Sequence, residues 1–120
     1  MSVNIERLES IKRDNSTPKE FAKARFELAS EYNKNGQFEK AKNAYLEIKK
    51  DDDEDIFSYA NYYLGIISAK EKSYDDAISY LMKVNKDHED IYSNSQYLLG
   101  LLFNNKFNFN EAIKSFKAVN

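Results

Sequence analysis

Apolar residues recur along this chain in the three- and four-residue steps that line one face of a helix. In the middle of the chain the steps run Tyr59, Tyr62, Tyr63, Ile66 and Ile67, until the polar stretch Lys70-Glu-Lys-Ser interrupts them. A second run then carries Tyr74, Ala77, Ile78, Leu81 and Val84. The pattern predicts two antiparallel helices joined by a short turn. It occurs three times: Leu28, Leu64 and Leu99 correspond, as do Phe38, Tyr74 and Phe109, then Tyr45, Leu81 and Phe116, then Ile48, Val84 and Val119. Each copy also places alanine twelve positions after a small residue, in the pairs Ala29–Ala41, Gly65–Ala77 and Gly100–Ala112. Successive copies lie 36 and 35 residues apart. A fixed period of this size marks a stack of similar helix pairs, each burying its apolar face against its neighbours.

Local signals place the helix ends. Thr17 precedes Pro18 and stands three residues before Glu20, which predicts an N-cap, a proline at the first helical position and a capping box. Gly36 falls where the first long helix should stop. Glycine inside a helix costs roughly 1 kcal/mol relative to alanine. Gly65 and Gly100 therefore predict close helix approach, with Ala77 and Ala112 facing them. Ile5, Leu8 and Ile11 repeat the steps of Ile78, Leu81 and Val84, so residues 3–13 read as an unpaired second helix covering the front of the stack. The expected organisation is one domain over 1–120, with an N-terminal helix in 3–15 and repeats at 18–50, 56–86 and 90–120. No polar helix follows Val119, which predicts a fragment of a longer protein or a last helix that pairs with another chain.

The repeated residues resemble a tetratricopeptide repeat, whose signature joins Leu-Gly and a tyrosine to a later alanine and phenylalanine. Leu64-Gly65 with Ala77 and Leu81 fits it, and so does Leu99-Gly100 with Phe103, Ala112 and Phe116. Leu28-Ala29 with Tyr32, Ala41 and Tyr45 fits with alanine in place of glycine. The chain departs from the signature early in each first helix, where Arg25, Asn61 and Gln96 replace an aromatic and Phe26, Tyr62 and Tyr97 follow one place later. The resemblance implies an all-α, right-handed superhelical stack of antiparallel helix hairpins. It also implies a concave groove for a peptide or helix. Carried over position by position, that groove holds Lys23, Phe26, Tyr59, Tyr62, Ile66, Lys70, Asn94, Tyr97, Leu101 and Asn104. The positions with which some members grip a terminal carboxylate hold Phe26, Ser30, Tyr63, Asn94 and Leu98 here, so that clamp is missing. An apolar or amphipathic segment is the expected partner. Phe26, Tyr62 and Tyr97 either line such a groove or fill the core.

Composition removes most other functions. The 120 residues carry 18 basic and 20 acidic side chains, a balance without the basic face that nucleic acid requires. There is no cysteine, and no apolar run at the start is long enough for a leader or a membrane span, so the expectation is a cytoplasmic protein. No phosphate loop, nucleophile elbow or zinc motif occurs, and neither an enzyme nor a cofactor or metal is expected. His88 reads as a solvated linker residue. The run Asp51-Asp-Asp-Glu-Asp55 lacks the glycine and glutamate of a calcium loop and reads as a solvated stretch leading into a helix N-terminus. Three roles remain: an interaction scaffold, a self-association module using Ile113, Phe116 and Val119, and a small holding chaperone of the secretion type.

Overall fold

The computed structural model describes residues 3–120, with side chains from Asn4 onward; Met1 and Ser2, at the head of the stretch read for a leader, lie outside them. The described residues form helices α1 (Val3–Glu9), α2 (Pro18–Lys34), α3 (Phe38–Leu46), α4 (Glu54–Lys70), α5 (Tyr74–Leu81), α6 (Glu89–Asn105) and α7 (Phe109–Lys117). A 3-10 turn at Arg13–Asn15 follows α1, so the front helix is shorter than its apolar pattern predicts. Two compact units emerge, the first ending at Ala60 and the second beginning at Asn61, with the division inside α4.

In the first unit α2 packs against both α1 and α3. Ile5 and Leu8 of α1 are buried, as their spacing predicts, together with Phe21, Leu28, Tyr32 and Tyr45. The start of α2 is fixed by the predicted box: the Glu20 backbone N–H donates to Thr17 Oγ1 at 3.1 Å, and the Thr17 N–H donates to Glu20 Oε1 at 2.8 Å. The Thr17 backbone N–H, and after it the Thr17 side chain, hold the Glu20 carboxyl below its ordinary range. Arg13 closes the unit. Its Nη1 and Nη2 pair with the two Asp52 oxygens at 2.9 and 2.8 Å, and Nη2 also donates to the Glu47 carbonyl at 2.9 Å. Asp53 Oδ1 accepts the Ile56 N–H at 2.8 Å and caps α4. The acidic run is thus more than a solvated stretch: Asp52 and Asp53 are half-buried and hold the chain on either side of them.

In the second unit α6 packs against α5 and α7, and the C-terminal part of α4 lies against α5. The glycines do mark close approach, and the atoms nearest to them belong to larger side chains. A Cβ on Gly65 would overlap the Leu81 side chain and stand 3.4 Å from the Ala77 carbonyl oxygen, and a Cβ on Gly100 would overlap the Phe116 ring. Side chains on a helix lean toward its N-terminus, so a residue covers the turn before its own Cα. Leu81 and Phe116 therefore reach back over the levels of Ala77 and Ala112, and the missing Cβ is the space they occupy.

Each long helix ends in the same turn. At the first, the Gln37 N–H reaches the Tyr32 carbonyl at 2.9 Å and the Gly36 N–H reaches Asn33 at 3.1 Å. Ser73 to Ser68 with Lys72 to Ala69, and Asn108 to Phe103 with Phe107 to Asn104, repeat both bonds. This is the two-bond helix stop that needs one left-handed residue. Gly36, Lys72 and Phe107 supply it, with φ of 77°, 64° and 62°. Only the first is a glycine, yet the spacing from one turn to the next keeps the sequence period of 36 and 35.

Candidate functional site

The strongest surface feature lies on the α6–α7 hairpin. Tyr97 and Leu101, one turn apart on α6, are 47% and 44% exposed, and Phe109, Ile113 and Phe116 of α7 are 55%, 53% and 38% exposed. The face is continuous: the rings of Tyr97 and Phe116 lie 6.0 Å apart, and Phe116 rests on Gly100. At the hairpin tip Phe107 and Phe109 meet edge to face, 6.1 Å between centroids, with Phe107 78% exposed.

Internal repetition shows how unusual this face is. One period earlier, Tyr62 stands in the place of Tyr97 and Leu81 in that of Phe116, and these are only 8% and 1% exposed. At Tyr62 the hydroxyl is engaged from α6, where Asn94 donates to it from Nδ2. The choice left open between groove and core is thereby decided differently for each aromatic. Tyr62 is core and gives a partner no open surface, which corrects its place in the expected groove. Tyr97 is open. Phe26 is half-buried, with its ring edge-on to Tyr45 at 5.5 Å.

Of the other groove positions in the second unit, Lys70, Asn94 and Asn104 are exposed and Ile66 is half-buried; in the first unit Lys23 is exposed and Tyr59 half-buried. Among the self-association residues Ile113 and Phe116 are exposed, whereas Val119 is half-buried. His88, expected in solvent, is half-buried at the N-cap of α6 with its Nε2 away from water. Phe107 escaped the sequence reading, although it stands in line with Gly36 and a bulky residue there was the available signal. Arg25 escaped it too: read only as a missing aromatic, it is a charge buried to 5% exposure.

Among the described residues no group of three or more His, Cys, Asp or Glu side chains is placed to hold a metal ion, and no helix is long and apolar enough to cross a membrane. Residues 22–50, spanning most of α2 and all of α3, match the tetratricopeptide repeat family model. Comparison with curated proteins and with solved structures gave no match. The match covers one hairpin, and the described residues as a whole form an all-α fold of paired antiparallel helices.

Proposed function

We propose that the chain is a helical-repeat interaction scaffold that performs no chemistry itself and docks an apolar or amphipathic partner segment on the open face of α6 and α7. The segments 18–50, 56–86 and 90–120 are its repeats, a reading supported by the three equal turns. The observation that carries the proposal is the exposure of Tyr97 and Phe116 at positions whose counterparts Tyr62 and Leu81 are buried. Exposed apolar patches of this kind mark interaction sites. Of the groove residues, Tyr97 and Leu101 are the anchors, with Asn104 as a polar neighbour on α6.

The preceding hairpin supplies the probe. Since α6 reaches Tyr62 through Asn94, a labelled peptide with the sequence of residues 89–105 should bind the intact chain saturably at the equivalent Tyr97, read by fluorescence anisotropy. The double variant Tyr97→Lys, Ile113→Lys should lose at least roughly tenfold in affinity, with its helical circular dichroism unchanged. Equal binding by a folded variant, or no saturable binding by the parent chain, refutes this face as the docking site.

A further inference from the structure

Away from that face, the first unit contains a cleft of about 330 Å³ between α1, α2 and α3. It shares no residue with the groove positions. Its most informative member is Arg25, whose side chain is only 6% exposed. A guanidinium this far from water depends on hydrogen-bond partners, and the protein supplies only part of the set, leaving one nitrogen open to the cleft. Nε donates to Glu47 Oε2 at 2.9 Å, Nη1 donates to the Leu8 carbonyl at 3.2 Å, and the guanidinium stacks 4.5 Å from the centre of the Phe21 ring. Nη2 donates to no protein atom among the described residues, and Glu47, the sole carboxylate on Arg25, is 51% exposed.

Two further cations line the cleft. Lys12 and Lys40 form no ion pair among the described residues, and the Lys40 ammonium sits 5.6 Å from the centre of the Tyr32 ring. The two resident carboxylates are already engaged, Glu47 by Arg25 and Glu9 by the Tyr32 hydroxyl, which donates to it at 2.6 Å. Three cations thus face two carboxylates, leaving one positive charge and unused N–H donors. The matching cavity of the second unit, whose lining includes Lys86, Gln96, Glu111 and Lys114, also has one cation in excess, but no guanidinium lies in it. A repeat fold needs no arginine here, because Asn61 and Gln96 serve at the same position in the other copies.

We propose that this cleft binds a carboxylate, received by Arg25 Nη2 and by the ammonium groups of Lys12 and Lys40. Its source is either a small organic acid or the acidic side chain of a peptide. The intact chain, labelled with nitrogen-15, is titrated at constant ionic strength with succinate and with a blocked peptide of consecutive glutamates, using sodium chloride as control. Saturable shifts of the Leu28, Ala44 and Glu47 amides are expected with at least one of the two. Tighter binding of succinate identifies a small acid, and tighter binding of the peptide identifies an acidic segment. Lys12→Ala with Lys40→Ala should weaken that binding roughly tenfold, and Arg25→Gln, the residue found at 96, should abolish it. If Arg25→Gln fails to fold, the lysine pair alone decides. Shifts reproduced by sodium chloride, unaffected by the lysine substitutions, or absent with both acids overturn the proposal.

Discussion

At the residue scale, one side chain in the core works against stability. Ser95 is fully buried on α6, and its hydroxyl has no hydrogen-bond partner among the described residues. The same position one and two periods earlier holds Ala60 and Ala24, both buried. An unsatisfied buried hydroxyl costs about 1–3 kcal/mol, so Ser95→Ala should raise the free energy of unfolding by about 1 kcal/mol. Urea denaturation measures the change, and an unaltered or lower midpoint contradicts it. The capping box at Thr17 and the stop at Gly36 were legible in the sequence because each depends on a residue type with one strong local preference. The contacts of Gly65 and Gly100 were not. Periodicity fixes which levels of two helices face each other, but the lean of Leu81 and Phe116 decides whose atoms fill the gap.

At the scale of the element, Arg13 joins the 3-10 turn after α1 to the loop between α3 and α4. The paired N–H groups of Arg13 hold the Asp52 carboxyl below its ordinary value of 3.8, outweighing a push upward from burial, and the Lys49 N–H adds to the lowering. A carboxyl lowered by folding stabilises the native state at pH above its unfolded value and loses that contribution as pH falls through its folded one. The melting temperature should therefore drop below about pH 3.8, partly through this pair. Asp52→Asn should lower stability at neutral pH and flatten that acid limb. Because Arg13 is 42% exposed, the effect is under about 1 kcal/mol. Thermal melts of both proteins across the acid range measure it; parallel curves contradict the assignment. The pair was invisible in the sequence, since its members stand 39 residues apart in a run of equivalent aspartates.

At the scale of the whole molecule, apolar exposure is unevenly distributed. Six of the nine exposed large hydrophobics among the described residues, from Tyr97 to Phe116, belong to the last hairpin, which therefore has the most open apolar surface of any described hairpin. Replacing Phe109 and Ile113 with lysine should raise the concentration at which light scattering detects association; an unchanged threshold means that this face does not drive it. The recurrence of the helix-ending turns at 36 and 35 residues was legible, because the apolar steps of the helices ahead of them recur with it. The division inside α4 was not, because an uninterrupted apolar stripe carries no mark of where contacts change sides. Nor does agreement with a family signature follow the fold evenly. The matched segment, 22–50, is the copy with alanine where the signature has glycine.

The turn at Phe107 combines an accessible aromatic with a backbone in a left-handed conformation, closed by bonds at 3.0 and 2.8 Å. A protease of chymotrypsin specificity meets the side chain it prefers on a peptide segment it cannot draw out straight. Scission there consequently requires the turn to open first, so its rate reads local unfolding rather than accessibility. The chain thus carries its own gauge of how often the last hairpin loosens, and a bound partner that steadies α6 and α7 will register as slower cutting at that peptide bond.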